Sequence, residues 1–201
     1  MKSVFFLDVD TQRDLISRNG PLSVPGAERL LSKFRRIFDF ARNHEIFVLS
    51  SVDSHNPDDP EFQDLPPHCI RKTDGQRKVD ETLFPKPMVF ENKPLDRNLV
   101  DIVQKNRQII IEKQTLDVFS NPITEKILRA LPAHAIVFGL PLELSVRAAC
   151  LGLRKLGIKT AIISDAVRPW SPGEGEPALA ELRSAGVEFI TLETLLGIQE
   201  I

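Results

Sequence analysis

The stretch Ala135-Ile136-Val137-Phe138-Gly139-Leu140-Pro141-Leu142-Glu143-Leu144-Ser145-Val146-Arg147-Ala148-Ala149-Cys150 decides the fold. Its first four residues are an uninterrupted apolar run, the pattern of a buried strand. From Leu142 to Leu156 the period changes, and Leu142, Val146, Ala149 and Leu153 recur at helical spacing. Gly139 and Pro141 make a tight corner between the two. Such a strand–turn–helix unit puts the start of its helix at the carboxyl end of a parallel sheet, where open α/β folds bind their ligands. The helix N-terminus also favours negative charge there. Ser145 falls in the first turn. Serine is common at helix starts for capping alone, and this stretch by itself asks no more of Ser145.

Upstream, Val4 to Val9 is an apolar run broken only by Asp8, and Asp10 follows it. Residues 16–25 carry Asn19-Gly20-Pro21 and Pro25 and read as a loop. A helix from about Gly26 to Asn43 presents Leu30, Leu31, Phe34, Ile37, Phe38 and Ala41 on one face. Ile46 to Ser51 is a second buried strand. Strand, helix and strand with short links imply a parallel pair joined by a right-handed crossover.

Residues 52–87 break the pattern, being rich in Pro, Asp, His and Lys, and a loop of that length in a compact domain is usually functional or disordered. It carries Asp53, His55, Glu61 and His68. Met88 to Glu91 reads as a short extended piece and Asp96 to Lys105 as a helix. Gln108 to Glu112 is the third main strand, ending at Lys113. A helix over Pro122–Leu131, a strand from Lys159 to Ser164, a helix over Ala178–Ala185, a last strand Val187–Ile190 and a closing turn Leu192–Leu196 complete the chain. The expectation is one domain over residues 1–201, a three-layer αβα fold around a mostly parallel six-stranded sheet.

Composition narrows the function. With 201 residues, 42% of them apolar, and a formal net charge of -2, the chain has material for a full core and no basic balance that points to nucleic acid. No apolar run approaches the roughly 20 residues of a membrane helix, and the N-terminal run is too short for a signal peptide. The two cysteines, Cys69 and Cys150, do not make a disulfide framework. The expectation is a cytoplasmic protein that works on a small-molecule substrate or ligand, without nucleic acid or membrane; a homo-oligomer is left open.

Four chain positions coincide in such a sheet. Asp10 ends the first strand, Asp53 and His55 follow the second, Lys113 ends the third and Ser145 follows the fourth, so all converge on one edge. Singly, each is explained as a cap, a solvated lysine or an exposed histidine; together they describe a site.

The same residues resemble the isochorismatase-like cysteine hydrolases, nicotinamidases above all. The family pattern D-x-Q-x-D-[FL] is matched by Asp10-Thr11-Gln12-Arg13-Asp14-Leu15, and D-x-H by Asp53-Ser54-His55. P-P-H-C is matched by Pro66-Pro67-His68-Cys69, followed by Thr73-Asp74-Gly75. A strand-end lysine is matched by Lys113. A strand followed by G-x-x-x-x-x-C-V-x-x-[TS] corresponds to Gly139 to Ala149 here, with Val146 in register. The resemblance implies amide hydrolysis in which a nucleophile attacks the carbonyl, an Asp serves as base and then acid, and a Lys holds the Asp charged. By position these are Ser145, Asp10 and Lys113. It also implies a divalent ion that grips a pyridine nitrogen, with ligands at Asp53, His55, Glu61 and His68. Two imidazoles and two carboxylates suit Zn first, with Mn and Fe as alternatives.

Two departures fall at the centre of that mechanism. Ser145 occupies the column of the nucleophilic Cys, and a hydroxyl needs a stronger base than a thiol does. Cys150 cannot substitute, because five residues of helix turn it by about 500°. Pro141 occupies the column whose backbone N–H serves the oxyanion in the family, next to a cis peptide, and proline has no N–H. Loss of one such donor costs about 100- to 1000-fold in rate. The expectations are therefore a cis Leu140–Pro141 bond, a hydrolase with altered or weakened chemistry, and, as the alternative, an inactive relative that binds a small ligand or a protein partner.

Overall fold

The computed structural model describes residues 3–198. Its strands are β1 (Phe5–Val9), β2 (Val48–Asp53), β3 (Met88–Phe90), β4 (Gln108–Lys113), β5 (His134–Gly139), β6 (Lys159–Val167) and β7 (Glu188–Ile190). Its helices are α1 (Arg13–Ile16), α2 (Leu31–Asn43), α3 (Val100–Lys105), α4 (Thr124–Leu128), α5 (Arg147–Lys155), α6 (Gly175–Ser184) and α7 (Leu192–Leu196). The strands form one seven-stranded sheet in the order β3-β4-β2-β1-β5-β6-β7, and every ladder in it is parallel.

The sheet thus has seven strands where six were expected. The additional one is β3, the edge piece at Met88–Phe90, which pairs with β4 through three residues. Met88 and Val89 are exposed. Three residues with no buried face leave neither an apolar run nor an alternation for a sequence to display.

Both sheet faces are covered. α2 and α7 bury Phe34, Ile37, Phe38, Leu192 and Leu195 against one face, together with Phe6 and Phe138. Helices α3 to α6 bury Val103, Ile127, Cys150 and Leu182 against the other, together with Phe5, Leu7 and Ile111. A parallel sheet covered on both faces leaves its inner strands little exposure, and β1, β2 and β4 are buried at every position, polar residues such as Asp8, Ser50 and Lys113 included. The chain runs outward from β1 to β2 and then crosses back to β5 on the other side of β1. The carboxyl ends of β1, β2, β4 and β5 therefore border the crevice where strand order reverses, the ligand site of such sheets.

The corner after β5 differs from expectation in two respects. No peptide bond among the described residues is cis, so Leu140–Pro141 is trans. The bend is made one residue earlier by Gly139, at φ +125°, where a Cβ would stand 2.0 Å from the Val9 carbonyl oxygen. Only glycine fits that close approach, and the trans form of an X-Pro bond is itself favoured by about 0.5–1 kcal/mol. Leu142–Val146 is a π-helical turn, with α5 beginning only at Arg147. The Val146 N–H donates five residues back to the Pro141 carbonyl at 3.1 Å. Ser145 therefore sits in a widened turn instead of an ordinary first helical turn, a geometry that recurs at functional sites.

The long segment 52–87 is tied down rather than free. Its end zips onto the residues after β1: Arg13 N–H donates to the Arg77 carbonyl, Asp14 N–H to that of Gly75, and Val79 N–H to that of Thr11. The motif Asp10-Thr11-Gln12-Arg13-Asp14 explains itself here. The Gln12 amide accepts from the Asp53 N–H at 2.7 Å and donates to the Asp53 carbonyl at 2.9 Å. Asp14 Oδ2 accepts from the Cys69 N–H at 2.8 Å. One residue of the motif is left for the site, and two hold the second strand and the loop against the first.

Candidate active and metal site

Lys113, at the end of β4, lies fully buried between two carboxylates. Its ammonium is 2.8 Å from Asp10 Oδ2 and 2.5 Å from Asp53 Oδ1. Asp10 follows β1 in a left-handed conformation at φ +49°, and its Oδ1 accepts from the Ser51 hydroxyl at 2.6 Å. Its Oδ2 has the lysine beside it but no hydrogen bond in line. Burial pushes the Asp10 carboxyl above the usual carboxylate range; Lys113 opposes the shift and Asp53 adds to it. Burial works against the Lys113 charge, but the Asp10 and Asp53 carboxylates outweigh it and the ammonium is held more firmly than usual. Two carboxylates on one ammonium leave an excess negative charge, which either a proton on Asp10 or a nearby cation offsets.

Ser145 is buried, and its hydroxyl has no hydrogen-bond partner among the described residues. Buried hydroxyls are ordinarily paired. Asp10 Oδ2 and Ser145 Oγ, both assigned to the catalytic set from sequence, are two of the three buried side-chain atoms left in this state among the described residues. Ser145 borders a cavity of about 30 Å3 together with Asp53, Glu61 and His68. The backbone N–H groups flanking Pro141 are both spent: that of Leu140 donates to Val9 and that of Leu142 to Arg168. The corner therefore offers no donor in place of the one proline lacks.

The histidines are oriented by their inner nitrogens. His55 Nδ1 donates to Asp59 Oδ2 at 3.0 Å, and His68 Nδ1 donates to the Pro66 carbonyl at 2.9 Å. Both acceptors can only accept, so the proton of each neutral ring is fixed on Nδ1 and each Nε2 presents a lone pair. Asp53, His55 and His68 each bring one ligand atom within 4.8 Å of the other two. Glu61 stands outside this buried group but faces both rings, 3.9 Å from His55 Nε2 and 4.0 Å from His68 Nε2. Nitrogen and carboxylate donors with Nδ1 anchored by a carboxylate and a carbonyl are the usual surroundings of a divalent ion. The residues fit the metal that the sequence pattern implies.

Sequence reasoning did not find Asp59, which orients His55, or Phe62, whose ring packs 5.5 Å from His55 and 5.6 Å from His68. It also missed Ser51, which holds Asp10, and Trp170, which borders the cavity. Only Asp59 left a trace, four residues beyond His55 in a polar loop. Cys150 is packed in the core as expected, and burial pushes its thiol up to about 12.

Residues 5–194 match the model of the isochorismatase domain. The chain belongs to the isochorismatase family. Among curated proteins it is 25% identical over 192 residues to the nicotinamidase of Saccharomyces cerevisiae, covering 81% of this chain and 87% of that one. Among solved structures it resembles the pyrazinamidase of Pyrococcus horikoshii in complex with zinc, with a TM-score of 0.78 and 23% identity over 94% of this chain and 99% of the other. An isochorismatase-like hydrolase from Alkaliphilus metalliredigens superposes with a TM-score of 0.79 at 19% identity, covering 98% of each chain. Among the described residues no helix of this family member is long and apolar enough to cross a membrane.

Proposed function

We propose that this protein is a metal-binding hydrolase of the isochorismatase family that acts on a small amide-type substrate with weakened chemistry. The observation that carries the reading is the pair of histidines whose anchored Nδ1 atoms leave both Nε2 lone pairs free, with Asp53 within 4.8 Å of each ring's ligand atom and the unpaired Ser145 hydroxyl in the same cavity wall. Asp53, His55 and His68, with Glu61 alongside, would hold one divalent ion, zinc first, as in the zinc complex of the archaeal pyrazinamidase. Such an ion supplies a Lewis acid that grips a nitrogen or carbonyl oxygen of the substrate.

The chain's own groups supply the rest. Asp10, raised by burial, takes a proton from Ser145 or from a water at the same place and returns it to the leaving nitrogen. Lys113 keeps Asp10 fixed and limits how far its proton affinity rises. The Leu140–Pro141–Leu142 backbone offers the oxyanion nothing, and a carboxylate is a weak base for a hydroxyl nucleophile. Turnover of a carboxamide is accordingly expected to be slow.

The test is metal analysis of the purified protein together with an amide screen. Wild type should carry close to one divalent ion per chain and release ammonia from a carboxamide, and His55→Ala should lose both. Full metal occupancy in His55→Ala would remove the metal assignment. A metal-loaded wild type that binds amides without any turnover would favour the alternative, an inactive ligand-binding member of the family; the missing oxyanion donor is the observation on its side.

A further inference from the structure

The cavity at Ser145 is small. About 30 Å3 is open to the centres of water-sized groups, room for a compact amide of about four non-hydrogen atoms but not for an aromatic ring. Beside it lies a far larger groove of about 450 Å3 between the 142–147 turn and α6. Two side chains, Leu144 and Trp170, border both spaces and form the wall between them. Leu144 adjoins Ser145 in the π-helical turn. Trp170 comes from the loop after β6, and this loop is fastened to the same turn by Glu143. The Glu143 carboxylate accepts from the Trp170 N–H at 3.1 Å and from the Ser171 N–H at 2.7 Å. Arg168, two residues earlier, accepts the Leu142 N–H through its carbonyl at 2.8 Å. The backbone of the loop that carries Trp170 is thus tied by three hydrogen bonds to the segment that carries Ser145. The rest of the cavity's apolar lining is aliphatic, with Leu15, Leu22, Leu65 and Leu116.

We infer that Trp170 is the specificity-determining residue of the site: it divides the groove from the cavity, admits compact aliphatic amides, and excludes ring carboxamides. Glu143 acts through Trp170 as a positioning residue. The inference rests on the Ser145 cavity being the amide site proposed above. A ring carboxamide has more non-hydrogen atoms than the divided cavity can hold, whereas removal of the indole joins the cavity to the groove and makes room for it. Apolar burial then favours the ring, at roughly 25 cal/mol per Å2.

The test is binding, read by ligand-observed NMR titration with acetamide and nicotinamide on the protein as purified, without reliance on turnover. Wild type should bind acetamide and bind nicotinamide more weakly. Trp170→Ala should raise nicotinamide affinity about tenfold or more, equivalent to 1.4 kcal/mol, while acetamide changes by less than about threefold. Trp170→Leu serves as a second opening variant should the alanine form fold poorly, and Trp170→Phe should keep the exclusion. Glu143→Ala should give an intermediate gain for nicotinamide alone. Equal nicotinamide affinity in wild type and both opening variants would overturn the inference, as would parallel loss of both amides or no binding of either amide by any variant. Metal content and ammonia release measured on the same samples report the proposed function separately, so an exchange of ligand preference without turnover would leave the wall standing and sink only the hydrolase reading.

Discussion

Lys78 is the residue whose replacement is expected to cost most for the least change in shape. It enters from the long loop after β2 and is 4% exposed, and its partner Asp8 is wholly buried in β1. The ammonium is 2.5 Å from Asp8 Oδ2 and 2.7 Å from the Thr11 hydroxyl. Asp8 also accepts from the Thr11 hydroxyl at 2.8 Å and from the Ser50 hydroxyl at 2.9 Å. Lys78→Met keeps the length of the stem, so no large cavity opens, but it strands a buried carboxylate on two neutral donors. Breaking a buried pair from one side costs about 3–5 kcal/mol. For a domain of this size each kcal/mol lowers Tm by about 2–4 °C, so a fall of about 6–20 °C is expected in calorimetry, with a matching shift of the urea midpoint by circular dichroism. Asp8→Asn combined with Lys78→Met removes both charges, keeps an acceptor for one of the two hydroxyls and offers the other an amide N–H to accept, so the double variant should recover most of the loss. A Lys78→Met protein within about 1 kcal/mol of wild type, or a double variant no better than the worse single one, would refute the argument that this pair is held by mutual compensation.

Four further outcomes are expected. Asp59→Asn weakens the acceptor that orients His55 and should lower metal affinity about 10- to 100-fold, read by competition with a chelating dye; unchanged affinity would mean that the His55 ring needs no such anchor. Ser145→Cys alone should not yield brisk amidase turnover, because the oxyanion donor is still missing; a fast single variant would show that Pro141 is irrelevant. Cys69 and Cys150 are buried and burial raises both thiols, so neither should react with a thiol reagent until urea unfolds the protein, and rapid labelling of the native form would contradict their placement. Asp165 takes the Lys33 ammonium at 2.7 Å and the Leu192 N–H at 2.8 Å. Although burial works against its charge, these partners hold its pKa below the usual value. Its contribution, screened by solvent to about 1 kcal/mol at most, is present above the unfolded carboxylate pKa of about 3.9 and lost as pH falls through the folded value. Asp165→Asn should therefore be less stable than wild type at pH 7 and equal to it at strongly acid pH; a gap that persists there would point to packing instead of charge.

The parts of the fold that were legible in the sequence are those with a period. β1, β2, β4 and β5 are covered on both sides, so each carries an apolar run, broken at positions such as Asp8 and Ser50, and α2 and α5 show their buried stripes. β3 was not legible as a strand because Met88 and Val89 face water and its pairing is set by β4. Around the candidate site, Asp10, Asp53, His55, His68, Lys113 and Ser145 could be placed at one sheet edge from the sequence because topology gathers the ends of parallel strands and because their spacing follows a family pattern. Glu61 was placed near the histidines, though outside their buried group. Asp59, Phe62 and Trp170 do their work only after the loops have folded, and loop geometry has no period to read. The expected cis bond was carried over from the family pattern and is absent here; an X-Pro bond is more stable trans by about 0.5–1 kcal/mol, and nothing in the sequence reverses that preference.

The wall at the site has an optical consequence. Trp170 is the single tryptophan of the chain, and there is no tyrosine. Light absorbed near 295 nm is therefore taken up by one indole, half-buried and within a side chain's reach of Ser145. Whatever enters the groove or the cavity alters the polarity around that ring and shifts its emission. The protein reports its own occupancy without a label, and a compound library can be screened against it before any substrate is known.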